Sequence, residues 1–265
     1  GGSRRAALYA SLAREHADID AFLKAKNWVP AIRNAKAQDF SFPAPLDMTN
    51  ISVNYGDEWR HMADRHKDPV FLANVRQALK TGEPGFSFNF GDKANETLRN
   101  ACTEVTSADD SDVCNLGSIN MGRIDDIIDF GRVTSLGTLF LLCGSIKADL
   151  PYEKVRTVRE KNRRLGLGIM GLHEWCIRRG TGYHPSLELR RWLHDYEGVS
   201  NQVARDSARA MGISEPVAIR AIAPTGTIGI LAGTTTGIEP LYAVAYRRRY
   251  LKGNTEWAYQ YVVDS

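Results

Sequence analysis

Short apolar or alternating runs recur along this chain, and most are followed by a segment long enough to be a helix. That alternation limits the fold more than any other feature, because strands separated by helices of about 10 residues or more favour parallel pairing through crossover connections. The strand-like runs are residues 6–12, 50–53, 86–90, 114–121, 165–169, 219–223, 241–246 and 257–263. Residues 86–90 read Phe-Ser-Phe-Asn-Phe, the period of a half-buried strand. Helical spacing marks residues 16–26, with Ile19, Phe22 and Leu23, and residues 69–80, with Phe71, Val75 and Leu79 on one face. Pro69 suits the first turn of that helix and Gly82-Glu83-Pro84-Gly85 ends it. Residues 136–148, 151–163, 172–179, 186–211 and 226–232 are also expected to be helical, and residues 27–47, with three prolines and no clear period, are expected to be loop. The predicted class is α/β, with an open sheet or a barrel.

The chain has 265 residues, 43% hydrophobic and 25% charged, which suits a folded globular protein. The expectation is one domain spanning residues 1–265. A net charge of +3 is too mild to imply nucleic-acid binding. The one dense basic run, Arg247-Arg248-Arg249, reads as a solvated strand end, with a phosphate or partner contact as the alternative. No apolar run approaches the roughly 18 residues needed to cross a bilayer, so neither membrane nor nucleic-acid partners are expected. None of the four cysteines, Cys102, Cys114, Cys143 and Cys176, lies in a C-x-x-C pair, and no histidine has metal-ligand spacing. No metal site is expected, and sparse cysteines suit free or catalytic thiols in the cytoplasm.

The chemistry concentrates at Asn100-Ala101-Cys102-Thr103-Glu104. In an extended segment the three side chains at alternate positions point to one side and can converge on one small molecule. A carboxylate near a thiol disfavours the thiolate, so Cys102 is poorly arranged as an ordinary nucleophile. A neutral thiol can instead surrender and recover a hydrogen atom, with Glu104 as acid/base partner and Asn100 as hydrogen-bonding partner. Pro224-Thr225-Gly226-Thr227-Ile228 links an expected strand to an expected helix, a place where free amides suit an anion. An ordinary strand-to-helix turn with Thr225 as N-cap is the alternative. The absence of a P-loop lysine there disfavours nucleotide hydrolysis. Gly166-x-Gly168-x-x-Gly171 matches a dinucleotide fingerprint but lacks its downstream acidic residue, so close strand–helix packing is the better reading. Cys114 follows the acidic run Asp109-Asp110-Ser111-Asp112 and, by itself, reads equally as a core cysteine.

Taken together, these segments resemble the catalytic subunit of ribonucleotide reductase. The resemblance rests on Gly1-Gly2-Ser3-Arg4-Arg5-Ala6, Asp18-Ile19-x-x-Phe22, Thr81-Gly82-Glu83-Pro84-Gly85, Asn100-x-Cys102-x-Glu104, Cys114-Asn115-Leu116-Gly117-Ser118-Ile119-Asn120, Gly166-Leu167-Gly168-Ile169-Met170-Gly171, Ala223-Pro224-Thr225-Gly226-Thr227-Ile228 and Gly237-Ile238-Glu239-Pro240. The wording of the last motifs most resembles the adenosylcobalamin-dependent class II enzymes. The resemblance implies a ten-stranded α/β barrel with a central finger loop. It implies that Cys102 forms the thiyl radical that takes the ribose 3′ hydrogen, that Glu104 is base for the 3′ hydroxyl, and that Asn100 holds the ribose hydroxyls. Cys114 would be one of two reducing cysteines. Thr225, Gly226, Thr227 and Ile228 would bind the substrate phosphates, and the segment before Asn50 would correspond to the specificity loop. Implied cofactors and partners are adenosylcobalamin or a diiron or dimanganese radical-generating subunit, a ribonucleoside di- or triphosphate, dNTP or ATP effectors, a thioredoxin- or glutaredoxin-type reductant, and a homodimer or complementing polypeptide.

The chain departs from the family's pattern in three ways. Ala101 stands where many relatives have proline, no second cysteine matches the partner of Cys114, and the C-terminal reducing pair has no counterpart. Both ends look abrupt, which predicts a core lacking the first barrel strands and the tail. A catalytically incomplete nucleotide-binding fragment and a simple dithiol oxidoreductase using Cys102 and Cys114 remain as alternatives.

Overall fold

The computed structural model describes residues 7–39, 41–241, 243–252 and 256–263. The N-terminal Gly1-Gly2-Ser3-Arg4-Arg5-Ala6 motif lies outside them. In chain order the principal elements are β1 (Leu8–Ala13), α1 (Ile19–Leu23), α2 (Pro30–Gln38), β2 (Thr49–Tyr55), α3 (Asp57–His61), α4 (Pro69–Thr81), β3 (Gly85–Phe88), β4 (Leu98–Arg99) and β5 (Thr106–Ser107). There follow β6 (Asn115–Asn120), α5 (Ile127–Lys147), α6 (Glu153–Asn162), β7 (Leu165–Met170), α7 (Leu172–Arg178), α8 (Leu187–Ala210), α9 (Gly226–Ala232), β8 (Ala245–Lys252) and β9 (Glu256–Val263). The chain divides into two compact units, residues 1–114 with 149–162, and residues 115–148 with 163–265.

In the first unit β1, β2 and β3 form a parallel sheet in that order. Ile19, Leu23, Val53, Tyr55 and Trp59 form its core, with Phe71 and Phe86 packed against them. Asp68 caps α4 by accepting from the Val70 amide at 3.3 Å, and Gly82 closes it at φ +86°. The face of α4 that packs is turned from the expected one. Val70, Phe71 and Ala73 meet the core and Asn74 is buried, whereas Leu79 is 84% exposed.

Residues 27–47 are not all loop, because α2 occupies 30–38 with Pro30 at its first position. None of its residues is buried, so it carries no apolar stripe for periodicity to detect. β3 also corrects a simple reading of its alternation. Ser87 and Asn89 are the buried residues, at 1% and 3% exposure, while Phe88 is 46% exposed.

In the second unit β6 and β7 pair in parallel, with Asn115 opposite Leu165 and Asn120 opposite Met170. Phe130, Leu141 and Leu142 of α5 join Leu165, Leu167, Ile169, Trp175, Trp192 and Tyr196 in its core. By length and composition alone α5 could cross a bilayer, contrary to the expectation that no segment would. It packs against α8, β6 and β7 and buries Phe130, Leu141 and Leu142 there. Residues 219–223 run beside β7 but make one bridge, Leu167 to Arg220, rather than a strand. The Ala221 carbonyl comes too close to Gly168 for a side chain to stand between them. The last hairpin begins at Ala245, so only the end of the strand expected at 241–246 falls in β8. Among the described residues the strands form four separate sheets of two or three strands, none of them closed.

Candidate active site

The Asn100–Glu104 stretch is not extended. It forms the tip of a hairpin whose two-residue strands, β4 and β5, pair antiparallel. The Asn100 carbonyl accepts from the Thr103 amide at 3.0 Å, and Thr103 has φ +66°. A β-branched residue rarely adopts that conformation, and such strain persists where the surroundings over-determine it. The Asn100 Oδ1 accepts from the Val105 amide at 3.1 Å, so half of this carboxamide braces the loop. Its NH2 has no partner among the described residues. A turn therefore replaces the expected strand alternation, and it keeps Glu104 near enough to Cys102 to act on its thiol.

Cys102 is exposed at this tip. Its thiol is nevertheless pushed above the ordinary cysteine range, first by loss of hydration around the sulfur and then by the Glu104 carboxylate. The sulfur thus stays protonated and accessible at neutral pH. Glu104 Oε2 is buried and accepts no hydrogen bond from any described residue. An orphaned buried carboxylate oxygen is costly, and it is available to a hydroxyl that a ligand brings.

Two side chains that the sequence did not single out hold this tip. Asn50 Nδ2 donates to the Ala101 carbonyl at 2.5 Å. Arg99 Nη1 donates to the Thr103 carbonyl at 3.3 Å, and its Nε donates to Ser87 Oγ at 2.8 Å. The polar side of β3 is buried because it anchors this arginine. An open cleft of about 440 Å³ lies alongside, lined by Asn50, Ser52, Thr81, Glu83, Phe86 and Thr103 among others. Polar residues alternating with phenylalanine just upstream of an arginine were the one available signal for the anchor.

Cys114 is half-buried at the end of the acidic run, and no disulfide links any of the four cysteines. The run is tied to α6. Asn162 Nδ2 donates to Asp109 at 2.9 Å and to Asp112 at 3.0 Å, Lys161 pairs with Asp109 at 2.9 Å, and Lys154 pairs with Asp110. The Lys154 partner holds the Asp110 carboxyl below the usual range. Among the described residues, no three His, Cys, Asp or Glu side chains are grouped to hold a metal ion.

In the second unit Thr225 opens α9 with φ +52°, another β-branched residue in left-handed backbone. It occupies the N-cap position without capping, because its Oγ1 accepts from the Gly237 amide at 2.7 Å. Gly237, at φ +46°, lies 3.3 Å from the Ala223 carbonyl by its would-be Cβ, so the two loops are pressed together. The first intrahelical bond runs from Gly229 to the Thr225 carbonyl. The amides of Gly226, Thr227 and Ile228 are therefore left over at the start of the helix, as an anion site requires. The glycine fingerprint is close packing, but against the 219–223 segment and Thr234 rather than between a strand and a helix. A Cβ at Gly168 would lie 2.5 Å from the Ala221 carbonyl oxygen, and one at Gly171 would lie 2.4 Å from Thr234 Oγ1.

The chain is similar to known proteins over most of its length. The family described as "Ribonucleotide reductase, barrel domain" matches residues 70–194 and 189–265. A protein of Mycobacterium phage D29 named putative adenosylcobalamin-dependent ribonucleoside-triphosphate reductase is 30% identical over 76% of this chain and 32% of its own length. A vitamin B12-dependent ribonucleoside-diphosphate reductase of Mycobacterium tuberculosis is 28% identical over 94% of this chain and 41% of its own length. The chain thus spans about a third to two fifths of these relatives. Among solved structures, an Actinobacillus ureae class Id ribonucleotide reductase alpha subunit superposes with TM-score 0.71 at 20% identity, over 89% of this chain and 49% of that one. A B12-dependent class II ribonucleotide reductase superposes with TM-score 0.70 at 17% identity, over 91% of this chain and 36% of that one. The chain belongs to the ribonucleotide reductase family, as part of its barrel domain.

Proposed function

We propose that this chain carries the radical core of a ribonucleotide reductase, converting ribonucleoside di- or triphosphates to 2′-deoxyribonucleotides in the cytoplasm. The observation that carries the reading is the hairpin tip, where an accessible thiol held protonated stands beside a carboxylate with a buried, unsatisfied oxygen. In this reading the hairpin is the tip of a finger loop, and residues 1–265 are one piece of a ten-stranded barrel that closes with further strands. Cys102 gives up its hydrogen atom, and the sulfur radical then takes the ribose 3′ hydrogen. Glu104 accepts the 3′ hydroxyl proton as the 2′ hydroxyl, protonated by a reducing thiol, leaves as water, and Glu104 returns that proton when the 3′ hydroxyl re-forms. Cys114 and a second thiol supply two electrons and two protons and end as a disulfide, and a thioredoxin- or glutaredoxin-type protein restores them. The ribose 3′ hydrogen returns from Cys102. Asn100 offers its NH2 to a ribose hydroxyl, while the amides of 226–228 and the Thr225 and Thr227 hydroxyls hold the phosphates.

Cys102, exposed and protonated, presents an S–H to a radical generator such as adenosylcobalamin. When bound, adenosylcobalamin supplies the initial radical. The names of the phage and mycobacterial relatives favour it over a metal-bearing subunit. dNTP or ATP effectors and a second copy or complementing polypeptide complete the proposed assembly. The test is single-turnover conversion of ribonucleotides by the pre-reduced protein, with and without adenosylcobalamin. Product that requires both adenosylcobalamin and Cys102 is expected. Product from Cys102→Ser would refute the assignment.

A further inference from the structure

The carbonyls of Ala101 and Thr103 stand on either side of Cys102, and each is held by a donor from outside the tip. Asn50 is the second residue of β2, and Arg99 is the last residue of β4. Both donors are themselves fixed. Arg99 is anchored on Ser87 and Asn89, which are nearly fully buried. The amide next to Asn50, that of Ile51, donates to Glu83 Oε1 at 3.2 Å.

We propose that Asn50 and Arg99 are positioning residues for the reaction, setting the direction of the Cys102 sulfur and its separation from Glu104. The inference rests on the reading of Cys102 as the reacting thiol. The Ala101 carbonyl belongs to the peptide plane that carries the Cys102 amide, so the Asn50 bond aims the Cys102 Cα–Cβ vector. The Thr103 carbonyl belongs to the plane that carries the Glu104 amide, so the Arg99 bond aims the carboxylate. Between the two planes lies Thr103 at φ +66°, a conformation that relaxes once either hold is lost. A displacement near 1 Å at a reacting centre costs on the order of 100-fold in rate. Neither residue touches the reacting atoms, so the loss falls on kcat rather than on substrate binding.

The test compares Asn50→Asp, which keeps the shape but presents no donor to Ala101, with Arg99→Gln and Arg99→Lys in the intact protein. Steady-state kinetics and iodoacetamide alkylation of Cys102, followed by mass spectrometry, are read on the same samples. Asn50→Asp and Arg99→Gln are expected to lower kcat by about 10- to 100-fold with KM within about two-fold. The Cys102 alkylation rate is expected to change at least about three-fold, and Arg99→Lys to restore part of kcat. If Asn50→Asp lowers the melting temperature, Asn50→Ser carries the same comparison, since its hydroxyl is too short to reach Ala101. Unchanged kcat and unchanged alkylation in folded variants, with Cys102→Ser inactive, would overturn the positioning role alone. Activity that survives in Cys102→Ser would instead overturn the reaction reading, while the alkylation rates would still decide whether the two residues hold the tip.

Discussion

Gly168→Ala is the substitution that most directly tests how the fold supports the proposed phosphate loop. The new Cβ would lie 2.5 Å from the Ala221 carbonyl oxygen, 3.4 Å from Ser118 Oγ and 3.5 Å from the Ala223 amide nitrogen. The first contact is with backbone, which cannot rotate away as a side chain would. Relief requires the 219–223 segment to move by roughly 0.5–1 Å. That segment is held to β7 by Leu167 N–H to Ile219 O at 2.9 Å and Ala221 N–H to Leu167 O at 3.1 Å. Overpacking of this kind costs about 1–3 kcal/mol, and weakening one hydrogen bond adds about 1 kcal/mol. The lower chain entropy of alanine in the unfolded state offsets about 0.4–1 kcal/mol. The net expectation is a loss of about 1–3.5 kcal/mol in urea unfolding. Gly198 in α8 is the control, because no atom lies within 4 Å of its would-be Cβ. Gly198→Ala should stabilise by about 0.5–1 kcal/mol. The same displacement carries Pro224 and Thr225 with it, so Gly168→Ala should also weaken nucleotide binding measured by calorimetry. A Gly168→Ala protein as stable as Gly198→Ala would refute the close packing and the support it gives the loop.

Other substitutions probe the site and the core separately. Glu104→Gln removes one of the two causes that raise the Cys102 thiol, so its alkylation at pH about 7.5 should become faster while nucleotide reduction is lost; slower alkylation would contradict the electrostatic account. Thr225→Val removes the acceptor for the Gly237 amide and should cost about 1–3 kcal/mol and weaken nucleotide binding, whereas Thr225→Ser should retain most of both. Asp68 pairs with Arg14 at 2.7 Å with its side chain 3% exposed, and it also caps α4. Asp68→Ala should therefore cost about 2–4 kcal/mol in thermal or urea unfolding, discounted because Arg14 keeps some contact with water.

Much of the scaffold was legible because it obeys one period over many residues. α4, α8, β2, β6 and β7 lie where apolar patterns or capping residues put them, and α9 begins where the Pro224-Thr225-Gly226 turn says it should, whereas α4 buries a face other than the expected one and α5 starts at Ile127 rather than at 136. The misses have separate physical causes. α2 buries nothing, so no stripe announces it. β4 and β5 have two residues each, too few for a period, so the tip read as extended rather than turned. Residues 219–223 look like a strand but are limited to one bridge by the contact at Gly168, which is a tertiary constraint. At the site, the residue types at 102 and 104 and their effect on the thiol could be reasoned from charge alone. The grip of Asn50 and Arg99 could not, because it joins Asn50 to Ala101 across 51 positions and depends on Ser87 and Asn89 being the buried face of β3.

The most direct measurement is deoxyribonucleotide formed in a single turnover by pre-reduced wild type and by Cys102→Ser, each with and without adenosylcobalamin. The account predicts product from wild type with adenosylcobalamin and none from the variant under either condition. Equal product from both proteins would contradict the claim that this hairpin tip is the reacting centre of the chain.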